Sequence, residues 1–280
     1  MDTLSWLSAL LLGLVEGLTE FLPVSSTGHL IVASELMGLR GEKMEVFNIF
    51  IQAGAILAVC WDYRAKLIAT FAGILSDTVA QRFVINICVA FFPFAVLGLT
   101  FKKLGITTLL FKPLPVALAF IIGGIIILFA ERWYTKRTTR ADARMIDSVD
   151  DLTWKDALKL GLAQCAALIP GTSRSAATII GGLFFGLTRK CATEFSFFLA
   201  IPTLLGATVY ALWSSRHILS TADVPLFSVG FIAAFVSAFV VVRWLIRFVS
   251  THDFSVFAWY RMVFGVVIIA TAQMGLVRWA

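Results

Sequence analysis

Charge is scarce in this chain: only 14% of its 280 residues are Asp, Glu, Lys or Arg, against 59% hydrophobic, and the mean hydropathy is +0.91. A water-soluble domain of this length needs far more charge to cover its surface, so that class is excluded. Cysteine is scarce too. Cys60, Cys88, Cys165 and Cys191 lie in or beside apolar runs without metal-ligand spacing. That excludes a disulfide scaffold or a zinc module and makes them small buried hydrophobes. Basic residues exceed acidic ones, giving a net charge of +6. Yet no basic cluster alternates with stacking aromatics in a polar segment, so nucleic acid is excluded as a partner. The N-terminus lacks the basic n-region and small-residue cleavage site of a signal peptide, and is expected to stay in the mature chain.

What the chain has is apolar runs. Those at 83–101, 114–130, 224–242 and 256–276 approach the ~20 residues that cross a hydrocarbon core, and 45–61 and 193–213 are shorter or more polar candidates. The predicted class is an all-α polytopic membrane protein. Its 25 Phe and 8 Trp suit lipid-facing and interfacial positions.

Two polar stretches, about 147 residues apart, interrupt this pattern at membrane depth. The first is Glu16-Gly-Leu-Thr-Glu20-Phe-Leu-Pro23-Val-Ser25-Ser26-Thr27-Gly28-His29, and the second runs from Ala167 through Pro170-Gly171-Thr172-Ser173-Arg174-Ser175. Aligning Pro23 with Pro170 places Ser26 on Ser173 and Thr27 on Arg174. Phe47-Asn-Ile-Phe50 aligns with Phe195-Ser-Phe-Phe198 at nearly the same offset, and two long apolar runs follow in each half. The runs at 4–15, 30–36 and 176–187 are too short to cross. Each pair around a proline therefore reads as a re-entrant helix-loop-helix hairpin, tolerated at depth where it lines a cavity or is buried in protein. Three full spans then remain per half. An odd number inverts the second half, so the expected fold is an inverted-topology repeat with six transmembrane helices and two re-entrant hairpins. The expected layout is one integral membrane domain over 1–280: a first repeat at 1–135, a cytoplasmic polar loop at 136–154 and a second repeat at 155–280.

The bias of Lys and Arg orients it. Arg64, Lys66, Arg82, the group Arg132, Lys136, Arg137, Arg140 and Arg144, then Lys155, Lys159, Arg189, Lys190, Arg243 and Arg247 fall on one side. Arg40, Lys43, Lys102, Lys103, Lys112, Arg216 and Arg278 fall on the other. The richer side is expected to be cytoplasmic, with both termini outside and the first hairpin opening outward.

The polar stretches carry the chemistry. Glu16 and Glu20 share a helix face and converge on one cation; oxygen ligands of this kind suit Mg²⁺ or Ca²⁺. A carboxylate at this depth costs roughly 2.5–3.5 kcal/mol on insertion scales, which favours function over interfacial snorkelling. Ser25, Ser26 and Thr27 precede a short helix, and at least one hydroxyl is expected to cap it. His29 lies three residues from Ser26, within reach around a turn, so Ser–His nucleophilic chemistry, a His nucleophile and a merely orienting His all stay open. In the second stretch the new helix offers N–H groups to an anion, and Arg174 adds a phosphate-binding fork flanked by Ser173 and Ser175. The plainer alternative pairs Arg174 with Glu16 or Glu20. Thr178 is a weaker candidate that a helical back-bond explains as well. Asn48, Gln52, Glu194, Ser196 and Arg261 are further polar residues in apolar runs, for which interhelical hydrogen bonding is the commoner role.

These motifs, EGLTEFLPVSSTGH and PGTSRSAAT, together with EFSFFLAIP at 194–202, strongly resemble the bacterial undecaprenyl-diphosphate phosphatase family, which is linked to bacitracin resistance. The resemblance runs the whole length; Ala176 stands where the family usually has Gly, a change expected to alter helix packing slightly. It implies removal of the terminal phosphate from an undecaprenyl diphosphate lipid to recycle the carrier for peptidoglycan synthesis. It also implies a divalent cation, a multi-pass protein in the bacterial inner membrane, and a site facing the periplasm. Carried over by motif, Glu16 and Glu20 match the family's acidic pair, Ser26 and His29 its serine and histidine, and Arg174 its phosphate-binding arginine. The expected division of labour is Ser26 as nucleophile, His29 as proton shuttle and a Glu-bound Mg²⁺. The bilayer and the lipid are the partners implied, with a homo-oligomer left open. The rival is a transporter that flips an anionic isoprenyl lipid, since broken helices in inverted repeats also build transporters.

Overall fold

The computed structural model describes residues 4–106, 110–139 and 144–275. These are helical almost throughout: α1 (Trp6–Thr19), α2 (Ser26–Leu36), α3 (Glu42–Asp62), α4 (Arg64–Gly73), α5 (Thr78–Lys103), α6 (Pro113–Thr138), α7 (Trp154–Gln164), α8 (Arg174–Phe185), α9 (Arg189–Ser214), α10 (Val224–Val249) and α11 (Ser255–Gln273). Six of them, α3, α5, α6, α9, α10 and α11, are long and apolar enough to cross a membrane. They coincide with the six runs read from the sequence, although residue 276 and Arg278 lie outside the described residues. The 21 residues of α3 span about 31 Å at the helical rise, whereas the 14 of α1 reach only about 21 Å. The pairs α1–α2 and α7–α8 are therefore too short to cross singly and fit the re-entrant reading.

The two halves match in register with a shift of 148 residues. Phe47 and Phe195 obey it, and so do the helix stops. Gly38 and Gly186 both have positive φ (69° and 94°), and Leu39 N–H to Ser34 O and Leu187 N–H to Gly182 O are the same capping bond at 2.9 Å. The helix starts follow too: Ser25 and Ser173 are the residues before α2 and α8, each held at φ near +70°. This corrects the proline-based alignment by one residue. Ser25, not Ser26, is the counterpart of Ser173, and Ser26 is the counterpart of Arg174. The slip arises because the second turn carries its proline one position earlier, at Pro170, the counterpart of Leu22, while Gly171 at φ +93° takes the place of Pro23.

Packing respects the repeat. Helix α1 lies on α10, and its counterpart α7 lies on α5, the counterpart of α10; α6 and α11 pack on each other. At the equivalent positions Gly13 and Gly161 the backbones all but touch. A Cβ would lie 2.2 Å from Gly230 O in the first and 2.3 Å from Ala90 O in the second. With lipid outside, apolar burial does not drive helices together, so such close contact carries the association. The described part of the polar loop is tied down at several points. Ile146 bridges Leu187, Lys66 pairs with Asp150, and Arg82 donates to the Asp150 carbonyl at 2.5 Å. Its Arg140 lies outside the described residues.

Candidate active site

Both helix breaks come to one place. After α1 the chain turns through Glu20–Val24, where Pro23 disfavours helix at the residue before it, and restarts at Ser26. After α7 it passes a short 3₁₀ turn (Cys165–Leu168) and Pro170-Gly171 before restarting at Arg174. A non-glycine residue at φ near +70° costs about 1–3 kcal/mol, and here it occurs twice, at Ser25 and Ser173, directly before the two polar helix starts. The second is offset by a cap, the Ala176 N–H donating to Ser173 Oγ at 3.2 Å. Ser25 makes no such cap. Its carbonyl instead accepts from His29 Nδ1 at 2.8 Å.

The centre is a linear chain of polar contacts across the repeats. Ser26 Oγ donates to Glu20 Oε2 at 2.5 Å, and Arg174 Nη2 donates to Glu20 Oε1 at 2.9 Å. The Arg174 and Glu20 side chains are only 8% and 6% exposed, so each neutralises the other where a lone charge would be costly. Arg174 Nη1 donates to Ser196 O at 2.9 Å and reaches its Oγ at 3.3 Å, while its Nε–H has no partner. A cavity of about 180 Å³ opens beside this chain. Glu20, Ser25, Ser26, Thr27, Ser173 and Arg174 form its polar wall, with Gln52, and Phe94, Leu204 and Ala207 form the apolar side. A hydroxyl, a carboxylate in contact with it and a guanidinium, facing one cavity with an apolar flank, suit phosphoryl chemistry on an amphipathic substrate.

Other predicted residues stand behind this wall. Glu16 is fully buried, electrostatically beside Glu20 and Arg174, and neither of its oxygens has a hydrogen-bond donor. Its counterpart in the second repeat is Gln164, also fully buried and unpartnered, so only the first copy carries a charge there. Ser175 donates to Leu22 O at 2.8 Å and touches Ser173, tying one break to the other rather than facing the cavity. Thr178 contacts the carbonyls of Arg174 and Ser175 and donates to Ser196 Oγ at 2.6 Å. It braces the residue that holds Arg174.

The expected Ser26–His29 contact is not formed. Ser26 is turned across the break to Glu20, and the imidazole is engaged elsewhere. A carbonyl only accepts, so the Ser25 contact puts a proton on Nδ1. Nε2 then faces Tyr260 Oη at 2.6 Å, and the ring stacks on Phe264 with centroids 4.2 Å apart. Tyr260 carried no signal in the sequence, lying 231 residues away on a half-exposed helix face. Arg261, beside it, did: it is an arginine in an apolar run, and it proves fully buried.

Comparison with known proteins gives the family. The profile of a family described as "Bacitracin resistance protein BacA" matches residues 9–267. A protein of Janthinobacterium sp. (strain Marseille) named undecaprenyl-diphosphatase is 57% identical, over the full length of both chains. One of Nitrosospira multiformis with the same name is 58% identical, again over both full lengths. A protein of Rhodospirillum rubrum named undecaprenyl-diphosphatase 2 is also 58% identical over both.

Proposed function

The chain belongs to the BacA family of bacitracin resistance proteins, and from that premise we propose how its polar chain of contacts works as a phosphatase site. The protein is a multi-pass membrane hydrolase. It dephosphorylates undecaprenyl diphosphate to undecaprenyl phosphate and inorganic phosphate, a reaction tied to peptidoglycan synthesis and bacitracin resistance. The observation that carries the mechanism is the Ser26–Glu20–Arg174 line of contacts at 2.5 and 2.9 Å.

Glu20 takes the Ser26 proton as Oγ attacks the terminal phosphorus, and returns it to the leaving oxygen as the anhydride P–O bond breaks and undecaprenyl phosphate departs. Water then attacks the phosphoserine; Glu20 takes its proton and passes it to Ser26 Oγ as the P–Oγ bond breaks, releasing inorganic phosphate and restoring the serine. Arg174 stabilises the charge on the transferring phosphoryl oxygens, its free Nε–H being available for them. His29 does not shuttle this proton. It holds the carbonyl of strained Ser25 and so fixes the residue that aims Ser26.

A divalent cation, Mg²⁺ or Ca²⁺, fits the acidic pair, since the Glu16 oxygens lack donors and lie beside Glu20. Glu16 and Glu20 would hold it with two carboxylates, the remaining ligands coming from phosphate and water, as these cations accept. When bound it supplies positive charge against the diphosphate.

The site faces the periplasm of the bacterial inner membrane, with both termini outside, because the basic residues concentrate on the opposite side. The apolar flank at Phe94, Leu204 and Ala207 receives the first isoprenyl units. The test is phosphate release from undecaprenyl diphosphate by purified protein in detergent, with Mg²⁺ or EDTA, beside Ser26→Ala and Arg174→Ala. Metal-dependent release lost in both folded variants supports the reading. No release from the intact protein under any cation condition sinks it and leaves lipid transport to test.

A further inference from the structure

Outside the reacting groups, Arg261 on α11 ties several parts of the backbone together. It is fully buried and donates only to backbone. Nη1 reaches Pro23 O at 3.1 Å, Nη2 reaches Gly171 O and Ala119 O at 3.0 Å each, and Nε reaches Phe120 O at 3.4 Å. Pro23 and Gly171 are counterparts under the 148-residue shift. One guanidinium therefore sits between the two repeats and holds the same carbonyl in each. Both carbonyls lie in helix breaks, where backbone acceptors lose their helical donors and need others at membrane depth. Ser26 and Arg174 each lie three residues beyond the held carbonyl.

We propose that Arg261 is a positioning residue: by gripping Pro23 and Gly171 with one rigid planar group, it sets the distance between Ser26 and Arg174 without touching substrate. The inference rests on the hydrolase reading above for what that distance does. A neutral amide has too few donors to serve four carbonyls. Lysine presents a single nitrogen that cannot span the two breaks while also holding α6. Helix α6 makes room for the fork at Gly123, where a Cβ would lie 2.3 Å from Arg261 Nη2 and 2.8 Å from its Cζ. Gly123→Ala therefore displaces the guanidinium without changing any charge.

The experiment compares wild type, Arg261→Lys and Gly123→Ala by steady-state phosphate release and by hydrogen–deuterium exchange. For both variants kcat falls by about 10- to 100-fold with KM within about threefold, since a misplacement near 1 Å costs on that order. Exchange speeds up together in the segments around 21–27 and 169–176. A folded Arg261→Lys protein with wild-type kcat overturns the proposal, and so does loosening confined to residues 119–123 while both breaks stay protected. Should Arg261→Lys fail to fold, Gly123→Ala decides by the same two readouts. Wild-type protein that releases no phosphate sinks the hydrolase reading instead, and the paired exchange change still tests the grip of Arg261 on both breaks.

Discussion

Glu20 makes two contacts that a neutral residue cannot make together: it accepts the Ser26 hydroxyl on one oxygen and the Arg174 guanidinium on the other. Glu20→Gln keeps the shape but removes the base and strands a buried Arg174, so phosphate release should fall about 10²- to 10⁴-fold. The same change should destabilise the protein by about 3–5 kcal/mol, the cost of breaking a buried pair, visible as a lower melting temperature in detergent. At this scale the sequence was highly legible. Charged residues are too costly at membrane depth to be there without a reason, so Glu16, Glu20, Arg174 and Arg261 stood out individually. The pairing of Arg174 with Glu20 was legible as well, as the plainer alternative, but the partners of Ser26 and His29 were not. Spacing allowed His29 to reach Ser26, but sequence proximity competes with contacts from distant elements. Here the Ser25 carbonyl and Tyr260 capture the ring while Glu20, six residues back, captures the hydroxyl.

Among the helices, the short ones do the positioning and the glycine crossings hold them in place. Gly13→Ala inserts a methyl group against the backbone of α10 and should destabilise by about 1–3 kcal/mol, read from thermal unfolding in detergent. Because Gly13 lies one turn before Glu16, activity should fall with it. The six spans were legible because length and apolarity suffice to find them. The helix breaks were legible through their prolines, but the register between them was not. Proline marks a turn without fixing its own place in it, and the second turn carries its proline one position earlier, so the equivalent residues are the strained serines rather than the prolines. A backbone angle leaves no mark in the residue types when both copies use serine where glycine would be easier.

At the scale of the whole molecule, exposed ion pairs among the described residues form at both ends of α3. At one, Lys43 pairs with Asp223 at 2.9 Å, while Lys66 with Asp150 and Arg243 with Asp62 pair at the other. Lys43 is among the basic residues expected outside, and Lys66 and Arg243 are among those expected to be cytoplasmic. In a variant whose native cysteines are replaced, Lys43→Cys should react with a membrane-impermeant thiol reagent on intact cells. Lys66→Cys should react only after permeabilisation; the reverse pattern would invert the topology. The account's central claim is that Glu20, held by Arg174 of the second repeat, is the carboxylate base for Ser26, with His29 in a supporting role. Phosphate release from undecaprenyl diphosphate by equal amounts of folded Ser26→Ala, Glu20→Gln and His29→Gln protein tests it most directly. The expected result is near-complete loss in the first two, with His29→Gln retaining at least about ten times their residual rate. His29→Gln as inactive as Ser26→Ala, beside an active Glu20→Gln, would contradict it.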